Sequence, residues 1–238
     1  MEGWRAKIGI LVPAVNAVME PDFNRLAQNG IAVLASRVGR QSPNVTVESQ
    51  IEMLDHLDSA ATLLAAAGVD LMVFGCTSSS FVRGVGGDKE IAERILRVTG
   101  VPAITTSTAV VEALRKLGVK RVSIFTPYLD EVNEREAEFF RGNGFEVLGV
   151  KGMQFQASAQ NRSFPTEQIY REAKKADWPD SDALFISCTN FRALGAIEIL
   201  ERDLCKPVVS SNQASFWYAL QVLNVHEPRE GYGRLLKG

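Results

Sequence analysis

Two cysteines, Cys76 and Cys188, are each followed by a threonine at the end of a predicted strand. A thiolate is a strong nucleophile and a thiol can donate a proton, so a pair of cysteines can supply covalent or acid–base catalysis. Small polar residues follow both cysteines, and backbone N–H groups in such turns can hold a carboxylate. A helical turn starting there would lower the pKa of the thiol. We therefore predict a site in which two sulfurs act on a small carboxylic acid.

The remaining cysteine and the histidines do not extend this pattern. Cys205 falls between a predicted helix and a predicted strand, and we interpret it as structural. No Cys-x-x-Cys pair occurs, and His56 and His226 lie far from the cysteines along the chain. This spacing argues against a zinc site and against a disulfide framework. We expect no metal and no cofactor.

Length and composition describe an ordinary globular chain. Its 238 residues allow one large α/β unit or two halves. A net charge of −2 gives no reason to expect a nucleic-acid or membrane-surface partner. No apolar run reaches the roughly 18 residues of a membrane span, and the first residues do not form a signal-peptide pattern. We therefore expect a cytoplasmic protein.

Apolar runs typical of buried parallel strands alternate with amphipathic stretches typical of helices. We predict strands near residues 7–12, 31–37, 70–75, 101–105, 121–125, 145–150, 182–187 and 207–209. We predict helices near residues 17–28, 48–67, 88–98, 108–117, 130–142, 166–176, 192–202 and 213–223. The alternation indicates βαβ units and a mainly parallel sheet. The longest irregular stretch is predicted at residues 151–165.

The chain contains an internal repeat, in which four segments recur in the same order. Residues 7–13, 30–34, 70–77 and 101–104 match residues 121–127, 144–148, 182–189 and 206–209. We predict an α/β fold of two similar halves, each a mainly parallel sheet flanked by helices and related by a pseudo-twofold duplication. The first half comprises residues 1–107 plus 211–238 and the second residues 108–210, with the active site between them.

Four short segments resemble one known superfamily over nearly the full length of the chain. Val12–Glu20 keeps the Asn and Glu of the first-strand signature of maleate isomerases, Val-Pro-Ser-Ser-Asn-Thr followed by Glu, but lacks its Ser-Ser and Thr. The segments 74–78, 126–128 and 186–190 resemble the two cysteine turns and the Thr-Pro-Tyr turn. The chain therefore resembles the aspartate/glutamate racemase superfamily, and most closely the branch of maleate cis-trans isomerases and arylmalonate decarboxylases.

The resemblance implies a cofactor-independent isomerisation of maleate to fumarate. It implies that Cys76 attacks an olefinic carbon and that Cys188 is the acid/base. It further implies a set of substrate-binding residues: Asn16, Thr77, Ser78, Tyr128, Asn161, Thr189 and Asn190. A small carboxylic or dicarboxylic acid would be the only partner besides copies of the chain itself, since a homo-oligomer is plausible for this family.

Other reactions stay open at this point. A two-cysteine racemase or epimerase, of the Asp/Glu or hydantoin type, would use the same pair as base and acid. Arylmalonate decarboxylases have a glycine in place of Cys76 and need an apolar pocket for the departing carboxylate. A non-catalytic carboxylate-binding protein on the same fold would not require two reactive thiols.

Overall fold

The computed structural model describes residues 3–40 and 44–237, which form two four-stranded sheets flanked by helices. The strands are β1 (Ala6–Pro13), β2 (Ile31–Val38), β3 (Leu71–Phe74), β4 (Ala103–Thr105), β5 (Arg121–Thr126), β6 (Glu146–Gly152), β7 (Ala183–Ile186) and β8 (Val208–Ser210). The first six helices are α1 (Met19–Leu26), α2 (Val47–Glu52), α3 (Leu57–Ala65), α4 (Thr77–Phe81), α5 (Gly87–Thr99) and α6 (Thr106–Lys116). They are followed by α7 (Asp130–Gly142), α8 (Ser158–Ser163), α9 (Thr166–Ala176), α10 (Ile197–Leu204), α11 (Ser211–Val222) and α12 (Arg234–Lys237).

The two sheets share one topology. Their strand orders are β2-β1-β3-β4 and β6-β5-β7-β8, and every paired strand runs parallel to its neighbour. β3 and β7, which hold equivalent places, are buried along their whole length. The predicted α/β fold of two similar halves is confirmed.

Both faces of the first sheet are covered along its central strands β1 and β3, which explains why their buried residues are apolar. Along β1 the side chains of Ile8 and Ile10 point into a core that continues into the second sheet. Leu11, on the opposite face, packs in a separate core with Met72 and Phe74. Each such buried side chain contributes about 1.5–3 kcal/mol relative to exposure. This burial on two sides holds β3 rigidly, and with it the turn that follows.

Two helices meet where the sheets adjoin. α11 packs against α6, and the Ser215 hydroxyl donates to Thr106 Oγ1 at 3.1 Å. α11 also contacts α1, where Asn212 Nδ2 donates to Asp22 Oδ2 at 2.8 Å. α11 therefore contacts helices on both sides of the predicted division, since most of α6 lies within residues 108–210, and the boundaries of the two halves remain a proposal.

Three segments differ from the sequence-based expectation. The helix predicted at 48–67 is divided into α2, a 3-10 turn at Met53–His56, and α3. The stretch 151–165 is not irregular throughout, because β6 continues to Gly152 and α8 follows. α4 was not expected, since a five-residue Thr-Ser-Ser-Ser-Phe segment has low helix propensity. In the part of the chain that the structure describes, no helix is both long and apolar enough to cross a membrane.

Candidate active site

The two cysteines occupy equivalent positions. β3 ends at Phe74 and β7 at Ile186, and a cysteine follows each strand two residues later. In open parallel sheets, ligands bind beyond the carboxyl ends of the strands. Both thiols are free and buried. The repeated topology therefore presents two sulfurs at one end of the molecule.

Cys76 and Cys188 line the same cavity. Every site residue predicted from the sequence borders the cavity: Asn16, Cys76, Thr77, Ser78, Tyr128, Asn161, Cys188, Thr189 and Asn190. Further lining residues were not predicted: Pro13, Val15, Arg40, Val45, Gln50 and Ser158. The structure brings the predicted residues together, and their roles in a reaction remain proposals.

Cys76 lies among hydroxyl and amide groups. It is the residue immediately before α4, where the first N–H groups of a helix have no partner within the helix. Its Sγ is 3.3 Å from Ser79 Oγ, 3.5 Å from Gln50 Oε1 and 3.8 Å from Ser78 Oγ. Hydroxyl groups can rotate to donate hydrogen bonds to a charged sulfur. These groups can form hydrogen bonds with the Cys76 sulfur.

Cys188 has different surroundings. Its φ of 96° is a strained value for a residue with a side chain, and no helix begins there. Burial raises the pKa of its thiol to about 12, while hydrogen bonding to the Asn190 N–H and to Tyr128 acts in the opposite direction. The expectation that both turns lower the thiol pKa is therefore wrong for Cys188, because the helix is missing and desolvation dominates. Cys188 keeps its proton at neutral pH.

Direct hydrogen bonds join the two cysteine turns. Asn16 Nδ2 donates to Thr189 Oγ1 at 3.0 Å, and the Thr189 hydroxyl donates to the Gly75 carbonyl at 3.0 Å. From the other side, Thr77 Oγ1 donates to Ser211 Oγ, which accepts from the Cys188 N–H; both distances are 3.0 Å. Hydrogen bonds therefore connect the two backbone segments that carry the sulfurs.

Asn16 is a structural residue as well as a lining residue. Its Oδ1 accepts from the N–H groups of Val18 and Met19 at 2.9 and 3.0 Å, which is helix-capping behaviour. Its Nδ2 has two hydrogens, and Thr189 takes one of them. One N–H therefore remains for a ligand in the cavity.

The two other asparagines differ in how fully they are paired. Asn190 is held on both sides, since its Oδ1 accepts from the Ala17 N–H at 3.0 Å and its Nδ2 donates to the Ser158 carbonyl at 3.3 Å. Asn161 Nδ2 is 3.7 Å from Cys188 Sγ, and its Oδ1 is buried without a partner. The opposite amide orientation, which exchanges only the O and N assignment, lets the Cys188 thiol donate to Oδ1 and turns Nδ2 away from the thiol.

A buried carboxyl that was not predicted from the sequence lies behind Cys188. Glu136, on α7, is fully buried and accepts from the Ser187 hydroxyl at 2.6 Å, while its second oxygen has no partner. Burial raises the pKa of Glu136 to about 8, and the bond from Ser187 opposes this. Burial, together with the nearby Cys188 and Glu136, raises the pKa of Tyr128 well above its usual value. The Tyr128 hydroxyl is therefore a donor at neutral pH.

Gln50 and Arg40 are the other residues missed. The Gln50 Oε1 accepts from Ser78 Oγ at 3.0 Å and Ser79 Oγ at 2.6 Å, while its Nε2 is buried without an acceptor. Arg40 lies two residues after β2, so the rule of strand carboxyl ends would have indicated it. Gln50 is on α2 and has no comparable sequence signal. Glu136 shares the buried face of α7 with Val132 and Phe140 at helical spacing.

Comparison with known proteins places this geometry in a family. The family model of arylmalonate decarboxylase matches residues 8–236. Arylmalonate decarboxylase from Bordetella bronchiseptica is 35% identical over 234 residues, which cover 96% of this chain and 95% of the relative. Maleate isomerase from Nocardia farcinica is 26% identical over 97% of this chain and 95% of the relative.

Solved structures agree in the whole fold. A cysteine-to-alanine variant of maleate isomerase from Pseudomonas putida, solved with maleate, has a TM-score of 0.93 at 27% identity and covers 98% of each chain. An arylmalonate decarboxylase variant, in which cysteine replaces a glycine and serine replaces a cysteine, has a TM-score of 0.90 at 33% identity. It covers 97% of this chain and 98% of that chain. This protein therefore belongs to the arylmalonate decarboxylase family, in the branch that also contains the maleate isomerases.

Proposed function

We propose that the chain catalyses the cofactor-independent cis–trans isomerisation of a small unsaturated dicarboxylate, maleate to fumarate, with Cys76 as nucleophile and Cys188 as acid/base. The observation that supports it most is the pair of free cysteines on one cavity in unlike surroundings. Cys76 has several polar neighbours at its sulfur, whereas Cys188 is a buried neutral thiol. A nucleophile and a proton donor are what the reaction needs.

The chemistry can be written with Cys76 as the thiolate. Its sulfur bonds to one olefinic carbon, and the electron pair of the double bond moves to the neighbouring carbon and its carboxylate. Cys188 gives its proton to that carbon and becomes a thiolate. The former double bond is now single and rotates. The Cys188 thiolate then removes the proton, the C–S bond breaks, and fumarate leaves with both cysteines restored.

The remaining cavity residues would stabilise charge. Tyr128 holds its proton at neutral pH and so can donate to the enediolate oxygen that develops during attack. Asn16 has one N–H left for a carboxylate, and the turns around Thr77, Ser78, Thr189 and Asn190 offer further donors. With its side-chain amide in the opposite orientation, Asn161 would donate a hydrogen bond from Nδ2. One well-placed donor of this kind typically accounts for about 10²–10³ in rate.

Arylmalonate decarboxylation is the second candidate, favoured by the relative at 35% identity and by the family model. A solved decarboxylase variant has cysteine introduced for a glycine, so that enzyme has a glycine at that position. The resemblance aligns this glycine with Cys76. The cavity also contains Arg40, Gln50 and Asn161, whereas a departing carboxylate needs apolar surroundings. Both points favour isomerisation.

Proton NMR of the protein with maleate tests the proposal. Conversion of the maleate olefinic signal to that of fumarate is expected, with full rate in the Cys205→Ser control because Cys205 is exposed and remote from the cavity. Parallel incubations with a phenylmalonate and with the enantiomers of aspartate and glutamate cover decarboxylation and racemisation. Turnover of one of those acids without any fumarate from maleate would reject the isomerase.

A further inference from the structure

One wall of the cavity contains a cation, Arg40, that is held by hydroxyl groups. Arg40 Nη2 donates to Ser49 Oγ at 3.0 Å and Nη1 reaches Ser158 Oγ at 3.5 Å. Its Nε is buried and has no acceptor. Among residues 3–40 and 44–237, no Asp or Glu forms an ion pair with it. Hydroxyls position this guanidinium, and Glu52 acts on its charge without forming an ion pair.

Gln50 adds a second unpaired donor to the same wall. Its side chain is 1% exposed, and two serine hydroxyls and the Cys76 thiol all bond to its Oε1. In this amide orientation Nε2 is buried without an acceptor. A buried donor left unpaired costs about 1–3 kcal/mol, and more for a charged group. Two such donors at one cavity indicate an acceptor that arrives with the ligand.

The ligand group must be an anion with acceptor oxygens only. A guanidinium presents planar donors that match a carboxylate, and it stays charged in proteins. Burial lowers the Arg40 pKa, while Cys76, Cys188, Glu52 and Tyr128 raise it, which places the guanidinium in the electrostatic field of the reacting groups as well as that of Glu52. A carboxylate at Arg40 would therefore belong to the same small molecule that contacts the sulfurs.

We infer that Arg40 and Gln50 form a subsite for the second carboxylate of the substrate and thereby select dicarboxylates over monocarboxylates. This deepens the proposed isomerase function, on which it rests. The first carboxylate lies with the donors around Asn16 and Tyr128, and the second with Arg40.

The subsite also separates the two chemistries open to this family. In isomerisation neither carboxylate leaves, and the carboxylate at Arg40 keeps its charge while the enediolate develops at the other one. A fixed cation at Arg40 therefore binds ground state and transition state alike and does not slow the chemical step. In decarboxylation one carboxylate becomes neutral CO₂. A cation that binds this carboxylate stabilises the ground state more than the transition state and raises the barrier. Arg40 therefore favours retention of both carboxylates.

Binding of two unreactive acids tests the subsite independently of turnover. Succinate has two carboxylates and butyrate one, and neither has a double bond for the sulfur to attack. By titration calorimetry, wild type should bind succinate about 10- to 100-fold more tightly than butyrate, the range expected for hydrogen bonds to a charged group. Arg40→Met should lose this preference while its butyrate affinity stays within about threefold, and Arg40→Lys should retain part of it.

The control is Arg121→Met, which removes an exposed arginine from the start of β5, where it pairs with Asp182. It should bind both acids as wild type does. Wild type without a preference for succinate, or Arg40→Met that retains it, overturns the subsite. If succinate binding depends on Arg40 but maleate is not isomerised, the proposed function fails and the subsite stands. If maleate is isomerised with an unchanged KM in Arg40→Met, the subsite fails and the function stands.

Discussion

The turn at residues 75–78 and the turn at residues 187–190 hold the same Cys-Thr pair at the same place in two similar sheets, yet they are built differently. Cys76 has extended backbone, with φ −139° and ψ 107°, and a helix begins after it. Cys188 has φ 96° and a short turn follows. The residue before the cysteine also differs. In the first turn it is Gly75, where a side chain would collide with Met19, whereas in the second turn it is Ser187, which donates a hydrogen bond to Glu136. The repeated topology sets where each sulfur lies, and the local chain sets what it can do.

Serine in place of either cysteine should have the largest effect and should separate the two roles. Both variants should lose roughly 10⁴-fold in turnover, as is typical when a central catalytic group is removed. With maleate, Cys188→Ser should accumulate a protein adduct heavier by one maleic acid, because attack by Cys76 is possible but the proton is not readily taken back. Cys76→Ser should show no adduct by intact mass spectrometry. Adducts in both variants, or in neither, would remove the distinction between the turns.

Glu136, which accepts a hydrogen bond from the residue before Cys188, should make the free energy of unfolding depend on pH. Burial raises its pKa from 4.5 to about 8, so between these values the folded protein keeps a proton that the unfolded chain has released. The free energy of unfolding therefore falls as the pH rises from about 5 to 8. Glu136→Gln removes this titration. Between pH 5 and 8 its free energy of unfolding should therefore rise relative to that of wild type by an amount on the order of a few kcal/mol.

Urea unfolding at pH 5, 6.5 and 8 measures this difference. The matched control is Glu138→Gln, on the exposed side of the same helix, which should follow the wild-type pH dependence. A constant offset between Glu136→Gln and wild type at all three pH values would show that the carboxyl does not titrate in this window.

Glycine substitutions should show the smallest effect and test backbone strain. Both Cys76→Gly and Cys188→Gly lose a buried thiol, but only the second relieves a positive φ. A side chain in that conformation costs about 1–2 kcal/mol. Cys188→Gly should therefore be the more stable variant by about that amount in urea unfolding. A Cys76→Gly variant of equal or greater stability would mean that Cys188 is not strained.

Most of the fold followed from patterns that are local in the sequence. Each predicted strand is present within a few residues, because short apolar runs that alternate with amphipathic stretches are typical of βαβ units. α4 escaped prediction because its serines favour a helix only when the turn after β3 places them there. The break between α2 and α3 likewise reflects tertiary packing.

The candidate site, like the fold, has parts that the sequence predicts and parts that it does not. Residues beside the cysteines could be named in advance, since parallel strands end at a common edge. The same rule would have indicated Arg40, which follows β2. Gln50 and Glu136 reach the site from helices, and their relevance depends on distances in three dimensions. Whether the pKa of the Cys188 thiol is raised or lowered depends on the balance between burial and the presence of a helix N-terminus. Sequence spacing alone does not reveal this balance.

The contacts from Asn16 to Thr189 and from Thr77 through Ser211 to Cys188 have a consequence for engineering. Each wall of the cavity supplies hydrogen-bond partners to the other. A substitution on one side therefore leaves a donor or acceptor on the opposite side without a partner. Libraries that vary these positions one at a time would mostly sample damaged proteins. Adapting this scaffold to another acid calls for simultaneous randomisation of facing residues.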